Sequence, residues 1–586
     1  MRGMFSTLAI VWRIASPYFY SEDRWAGRSL LAAVVAIELS IVGLNVLLNT
    51  WNNAFYNALQ DKDWDAFIYQ LGYFCVLATA FILLAVYQLY LNQWLQIRWR
   101  RWLTETYLDR WLAGANHYRM QLLGDAADNP DQRIAEDVRQ FIDAGILPIG
   151  LNLLNAVVTL ASFAVILWNL SAAAPLHVFG IKYDIPGYLL WAALVYAVGG
   201  TIFTHLIGRA LIALNFQQQR YEADFRFNLV RVRENSEQIA LLNGERAERN
   251  GLLLRFTNVV ANWMAIMSRQ KKLTFLTAGY RQAAVVFPYI MVSPAYFAGA
   301  VQLGGLMQTA NAFGQVQDAL SVFVNIYRSL AEWRAVVERL AGFDHSIIAA
   351  REAATTPPVI TLAPGDASAV SLRDVAVRLP QGTPLVSASN VSINLGEHVL
   401  VSGPSGSGKS TLFRALAGVW PFGSGTITVP KNARVMILPQ RPYFPIAPLA
   451  TAVAYPAGRE SHDEGKIAEL IGAVGLPALA DRIDEEAHWN RMLSLGEQQR
   501  LGIARALLSE PDFLFLDEAT ASLDEPAEAA LYQLLQRKLP RATIVSIGHR
   551  STLAAFHPRR LAFNREGDHY VMKETNLAPA KVGLTK

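Results

Sequence analysis

Three short stretches of the chain carry residue types that handle phosphate. The first, "GPSGSGKST" at 403–411, fits the spacing G-x-x-x-x-G-K-[ST] between a strand-like run, "HVLVS", and a helical one, "LFRAL". Gly403, Gly406 and Gly408 let backbone N–H groups face phosphate oxygens, and Pro404, Ser405, Ser407 and Thr411 complete the loop. Lys409 is placed to neutralise the β- and γ-phosphates and the Ser410 hydroxyl to reach Mg2+. The second, "PDFLFLDEATASLD" at 511–524, is an apolar strand ending in Asp517-Glu518. An Asp at such an end can hold the metal, and the carboxylate after it can polarise an attacking water as general base. Two strand-end acids alone are common; about a hundred residues after a phosphate loop they point to one site. The third, "RMLSLGEQQRLGIARALL" at 491–508, opens a helix with Ser-Leu-Gly-Glu, a second turn suited to an anion. Two further strand ends add Gln440, in "RVMILPQRPYF", whose amide can sense Mg2+ and water, and His549, in "TIVSIGHR", whose neutral imidazole can contact the γ-phosphate and the attacking water.

In this order and spacing the pieces resemble the ATP-binding cassette of ABC transporters, over about 367–586. The resemblance implies that 403–411 is Walker A, that Gln440 is the Q-loop, and that Ser494-Leu495-Gly496-Glu497 is the signature. It further implies that 513–517 is Walker B, Glu518 the catalytic base, Ser522-Leu523-Asp524 the D-loop and His549 the switch histidine. ATP and Mg2+ are the implied cofactors, with Ser410, Gln440 and Asp517 toward the metal. In this family the signature of one cassette covers the ATP held by the phosphate loop of another, so Ser494, Gly496, Glu497 and Asp524 belong to a partner's nucleotide. One copy of each motif makes the chain half of a working unit, most simply completed as a homodimer. Two positions depart from the pattern. Leu495 and Glu497 replace the usual Gly and Gln of the signature, and no aromatic stands near Leu379, where the family stacks the adenine.

The elements that must position these residues divide by composition. Hydrophobic residues make up 52% and charged residues 17%, below the roughly 25% of soluble domains. The net charge of +4 gives no case for a nucleic-acid partner. The single cysteine, Cys75, rules out an internal disulfide and a cysteine metal cluster. The N-terminus, with Arg13 breaking a short apolar stretch, reads as a retained helix along the membrane surface. Six apolar spans are expected near 29–50, 70–95, 147–169, 187–208, 279–299 and 303–326, each close to the ~20 residues that cross a bilayer. Lys and Arg alternate between rich and poor connections at every crossing, which places both termini in the cytoplasm. The expected order is a transmembrane domain over 1–345, a linker over 346–366 and the cassette over 367–586: a six-helix α domain followed by an α/β P-loop NTPase domain. Within the first inner connection, "NPDQRIAEDV" starts with a cap, Asn129, and Pro130 at the first helical position, which predicts a short separate helix.

The first half narrows the family. "NTWNNAFYNALQDKDWDAF", "NPDQRIAEDV", "NSEQIALLNGERAE", "FGQVQDALSVFV" and "SLAEWRAVVERL" resemble the SbmA/BacA-like peptide and cobalamin importers, here in an ATPase-fused form; "LFRALAGVWP" and "LPQRPYFP" also resemble the peroxisomal fatty-acyl-CoA half-transporters. The resemblance implies an exporter-type membrane fold, and that "NPDQRIAEDV" couples to the cassette. Independently, Gln308, Asn311, Gln315, Asp318 and Asn325 fall on one helical face of the sixth span. Such a stripe either glues helices together or lines water. Asn45, Asn49, Asn52 and Asn53 make the outer half of the first span polar too, which favours a cavity. Glu38, within that span, is either a cavity-facing or proton-carrying group or a structural partner. These readings lead to a homodimeric, ATP-driven importer in a bacterial inner membrane, for hydrophilic peptides (antimicrobial or bleomycin-like) or cobalamin-like solutes. The alternatives are an acyl-CoA or lipid transporter and an ATP-gated pore or regulator.

Overall fold

The computed structural model describes residues 2–124, 129–173, 176–178, 181–183 and 185–575. It forms two compact units, one of Met1–Tyr107 with Asp131–Ala341, the other of Leu108–Pro130 with Gly342–Lys586.

The first unit is helical. Its helices are α1 (Arg2–Ala15), α2 (Arg24–Gln60), α3 (Trp64–Leu112), α5 (Leu147–Ala173), α6 (Tyr188–Glu234), α7 (Glu245–Phe297) and α8 (Leu303–Glu352), the ends of α3 and α8 running on into the second unit; between α3 and α5 the chain forms a short α4 (Asn116–Leu123), which belongs to the second unit. By length and composition, four helical stretches among the described residues can cross a membrane: Arg24–Gln60, Trp64–Leu123, Gln140–Ala173 and Tyr188–Glu234. The fifth and sixth expected spans lie in α7 and α8, which are 53 and 50 residues long but less apolar. Arg281, Gln308, Asn311, Gln315 and Asp318 dilute them. In lipid the hydrophobic effect does not drive helices together, so close packing must. Phe163 and Leu167 of α5, Leu189 and Ala193 of α6, Val292 of α7, and Phe313 and Val316 of α8 interlock in one buried cluster. Tyr196 of α6 and Tyr280 of α7 stack at 4.4 Å between ring centroids, and each hydroxyl donates to the other's backbone carbonyl, at 2.6 and 2.9 Å. Gly200 makes room for this pair, since a Cβ there would stand 2.3 Å from the Tyr280 ring.

Two expectations need correction. The stretch from Pro130 is not a short separate helix. It runs through wide π turns at Arg133–Asp137 and Gln140–Ile146 directly into α5. Asp137 is fixed within it by Arg133, at 2.6 Å, and by a two-pronged contact from Arg339 of α8, at 2.6 and 2.9 Å. The separate helix is α4, set off by left-handed backbone at Gly114 (φ 52°) and Ala115 (φ 64°) before it and at Gly124 (φ 71°) after it. The expected linker is partly structured as well. Helix α8 continues to Glu352, and Thr361–Gly365 forms a strand.

The second unit is α/β. Its strands are β1 (Thr361–Gly365), β2 (Ala369–Arg378), β3 (Pro384–Ala388), β4 (Val391–Asn394), β5 (His398–Ser402), β6 (Gly423–Pro430), β7 (Val435–Leu438), β8 (Phe513–Asp517), β9 (Thr543–Ile547), β10 (Arg559–Glu566) and β11 (His569–Thr575). They share one sheet in the order β1-β6-β2-β3-β11-β10-β5-β9-β8-β7, with β4 beside β2. Strands β7, β8, β9, β5 and β10 are mutually parallel. Continuous apolar runs such as "FLFLD" and "TIVSI" suit strands covered on both faces. Phe513 and Phe515 accordingly enter one buried cluster, and Leu514 and Leu516 another. Tyr118 and Leu122 of α4 pack on the first of these clusters, so α4 is part of this unit.

Candidate functional site

Four loops at the carboxyl ends of adjacent parallel strands converge. They follow β5, β7, β8 and β9, the edge where open α/β sheets place ligands. After β5, Gly408 adopts φ 87° and caps helix α9 (Lys409–Leu416); a Cβ there would stand 2.6 Å from Val386. Pro404, Ser405 and Gly406 are exposed at the rim, and Thr411 lies in the first turn of α9. The buried Lys409 ammonium donates to the carbonyls of Gly403, at 2.9 Å, and Pro404, at 2.8 Å. Burial holds its pKa below the ordinary lysine value, and the Glu518 and Asp517 carboxylates oppose that. Ser407 Oγ is buried without a hydrogen-bond partner among the described residues, and with the loop's backbone it fits a phosphate group.

After β8, Asp517 accepts a 2.7 Å hydrogen bond from Ser410 Oγ. Burial raises the Asp517 pKa, with the Ser410 bond opposing. A hydroxyl and a carboxylate side by side are hard oxygen donors that fit Mg2+. Glu518, in left-handed backbone at φ 51°, is the point of convergence. Gln440 Nε2 donates to its Oε2 at 3.2 Å, and His549 Nε2 lies 3.3 Å from its Oε1.

Ser494 caps helix α10 (Leu495–Ser509) in a reciprocal box with Glu497: the carboxylate takes both the Ser494 N–H and its hydroxyl at 2.8 Å. The glutamate that replaces the usual amide therefore holds the turn. A Cβ on Gly496 would meet Leu523 at 3.3 Å, which places the turn against the segment before Asp524. Asp524 itself caps helix α11 (Glu525–Lys538) through the Ala527 N–H, at 3.0 Å. Leu379 closes a turn with Thr383 and packs on the core.

In the helical unit a cavity of about 770 Å³ opens between α2, α6, α7 and α8, lined in part by Asn52, Thr201, Arg281, Asn311, Gln317 and Asp318. The polar stripe of the sixth span divides here. Asn311 and Asp318 line the cavity. Gln308 instead accepts from Asn53 Nδ2, at 2.6 Å, in a chain that continues through Asn57 to the Gly304 N–H. Gln315 is not on the lining, and the Asn325 side chain falls outside the described ones. Asn49 bridges the two halves, donating to Gln308 O and Asn311 Oδ1, both at 3.0 Å. Glu38 does not line the cavity; it is buried where Asn155 of α5, at 2.7 Å, and Gln88 of α3 both donate to it, which ties three helices together.

The family described as "ABC transporter transmembrane region 2" matches residues 14–297, and the one described as "ABC transporter" matches 386–521. An uncharacterized ABC transporter ATP-binding protein of Haemophilus influenzae is 35% identical, over 96% of this chain and 93% of its own. The chain belongs to the ABC transporters. An Arabidopsis thaliana protein, "ABC transporter D family member 2, chloroplastic", is 33% identical, over 95% of this chain and 86% of its own. The human "Lysosomal cobalamin transporter ABCD4" is 25% identical, over 91% of both chains. Among solved structures, a bacterial Atm1-family ABC exporter with ATP bound shares the fold at a TM-score of 0.66 and 17% identity, over 93% of this chain and 94% of its own.

This ABC transporter is thus a half-transporter of the D-family type, with a membrane region fused to an ATPase whose hydrolysis is coupled to transport. Its sequence hid some of the residues that position the site. Gln499, buried in α10, donates to the carbonyls of Gln440, at 3.0 Å, and Glu518, at 3.4 Å, and its Oε1 accepts from the Ser522 N–H, at 3.0 Å. It joins four motifs. Its place five residues after Ser494 was visible, but its partners, 19 to 59 residues away, were not. Buried Arg505 binds the carbonyls of Tyr443 and Ala452, both at 2.8 Å, and lies over the Phe444 ring, pinning the irregular segment that leads from Gln440. Arg550, next to His549, holds the carbonyls of Leu523, at 2.6 Å, and Ala521, at 3.1 Å.

Proposed function

We propose that the transporter works as a homodimer in a bacterial inner membrane, with both termini cytoplasmic. It imports hydrophilic peptides or cobalamin-like solutes by alternating access, in the manner of the SbmA/BacA-like proteins. The observation that carries this reading is the set of amides and charges on the cavity wall, Asn52, Arg281, Asn311, Gln317 and Asp318, where a lipid-handling protein would place apolar groups. The human relative named as a cobalamin transporter supports the cobalamin-like limb.

In this reading the loop at 403–411 holds the phosphates, Lys409 exchanging its loop carbonyls for phosphate oxygens. Ser410, Asp517 and Gln440 would hold Mg2+, which supplies charge neutralisation on the phosphates when bound. Glu518 takes the proton of the attacking water, and Gln440 and His549 fix the orientation of its carboxylate. Ser494, Gly496, Glu497 and Asp524 close over the partner's nucleotide, so that two ATP bring the cassettes together and hydrolysis resets them. The test is vectorial. Proteoliposomes with ATP supplied only on the cassette side should gather labelled peptide on that same side. Accumulation on the opposite side would make the protein an exporter.

A second reading, an acyl-CoA or lipid transporter, has the support of Ala197, Ala284, Val285 and Met307, which give part of the cavity an apolar wall. It requires that acyl-CoA, and not peptide, stimulate ATP hydrolysis.

A further inference from the structure

We propose that Arg281 and Asp318 form a charge-selective pair that reads two opposite charges on one transported solute. Both line the cavity, Arg281 from α7 and Asp318 from α8. Elsewhere in the helical unit the buried Glu38 is held by Gln88 and Asn155, the buried Asp137 by Arg133 and Arg339, and the half-buried Asp23 by Arg98 and Tyr18. Arg281 and Asp318 differ. Both are exposed to the space of the cavity, and neither has an ion pair or hydrogen bond among the described residues. Charges within spans are costly and are retained where a path or a ligand needs them.

The wall that carries Arg281 is stiff. Tyr280, beside Arg281, is locked to Tyr196 by stacking and two reciprocal hydrogen bonds, with Gly200 behind it. A guanidinium on such a wall offers a fork to a carboxylate, and the carboxylate on the facing helix takes an ammonium. A zwitterion satisfies both. A solute with only anionic groups, such as acyl-CoA, satisfies Arg281 and sets like charge against Asp318. The inference rests on the reading of the protein as a transporter of hydrophilic solutes.

The test uses the full-length protein in proteoliposomes and one tetrapeptide of alanine and tyrosine in four forms: free ends, N-acetylated, C-amidated and doubly blocked. The readout is the peptide concentration giving half-maximal stimulation of ATP hydrolysis. In the unaltered protein each single block should raise that concentration tenfold or more. In Asp318→Asn the acetylated form should match the free one; in Arg281→Gln the amidated form should match it. A residue with a merely structural role would not give this crossed pattern. Equal stimulation by all four forms in the unaltered protein overturns the pair and leaves the hydrophilic-solute reading standing. Stimulation by acyl-CoA and by no peptide form overturns both. Should either variant fail to fold, the four forms on the unaltered protein decide alone.

Discussion

At the nucleotide side of the molecule the phosphate loop, Gln440, Asp517, Glu518 and His549 stand on or beside loops at the ends of parallel strands, and Ser494 and Asp524 cap helices. At the cavity the lining residues are scattered over four helices. The loops are short and contiguous, so one stretch of sequence brings its glycine, lysine and serine together by backbone geometry alone. The cavity residues share no local sequence. Whether one faces water or another helix depends on what the neighbouring helix presents. Gln308 and Asn311 show this. They lie three residues apart on one face of α8, yet the first accepts from Asn53 while the second borders open space. The nucleotide side should therefore fail sharply when one residue changes, and the cavity side by degrees.

The sharpest break is Glu518→Gln. Its carboxylate is where Gln440 and His549 meet, and an amide of the same shape keeps those neighbours but cannot take a proton. ATP hydrolysis should fall by roughly 10²–10⁴-fold, the span of general-base contributions, with ATP binding retained. Hydrolysis within a factor of three of the unaltered protein would remove Glu518 from the chemistry.

Whether each site spans two chains is tested by mixing lesions. Lys409→Ala and Ser494→Arg homodimers should both be inactive. A purified mixed dimer regenerates one site with an intact phosphate loop and an intact signature turn, and should recover up to about half of the activity if the sites act independently. An assembled mixed dimer as inactive as either parent would count against the shared site.

This contrast also sets what could be read without coordinates. The phosphate loop, Asp517, Glu518, Gln440 and His549 were legible because each sits in a local pattern of apolar strand and loop. Gln499 was not, because its partners at 440, 518 and 522 come together only through the sheet. The inner helix was misplaced for a different reason. A cap and a proline at 129–130 do start a helix, but nothing after them stops it. The stop signals lie in "AGANHYRMQLLG", where Gly114 and Gly124 bracket α4. Those two glycines were in plain view, whereas the packing of Tyr118 and Leu122 on the α/β core could come only from the fold.

A smaller effect separates the scaffold of the α/β unit from its chemistry. His557 is fully buried: its Nδ1 pairs with the Leu553 carbonyl and its Nε2 with the Ser546 hydroxyl, which also receives the Tyr532 hydroxyl, each bond 2.8–2.9 Å. Burial lowers its pKa to about 4, with the Leu553 bond opposing and His398 adding to the effect. An unfolded histidine titrates near 6.5. Between those values the unfolded chain takes a proton that the fold refuses. His557 therefore gives its full stability above pH 6.5 and loses it as pH falls toward 4, about 3 kcal/mol in all. Heat-inactivation midpoints of the ATPase at pH 7 and pH 5 should differ more for the unaltered protein than for His557→Gln. An equal pH dependence would show that the imidazole does not titrate in this window.

The finest test of the contrast lies in two neighbouring residues of α2. Asn53 donates to Gln308 at 2.6 Å, and Asn52 lines the cavity without a hydrogen bond among the described residues. Interhelical hydrogen bonds in membranes average about 0.6 kcal/mol in double-mutant cycles and reach about 1.7. A cycle of Asn53→Leu and Gln308→Leu, followed by thermal unfolding in lipid nanodiscs, should show coupling in that range, with solute concentration dependence unchanged in the surviving folded protein. Asn52→Leu should leave unfolding within about 0.5 kcal/mol of the unaltered protein, as surface changes do. It should instead raise the half-saturating concentration of a hydrophilic solute a few-fold, because it removes an amide from the wall and joins nothing. If both single variants shift unfolding alike and neither shifts solute dependence, the wall at Asn52 is scaffold, and the stripe is glue along its whole length.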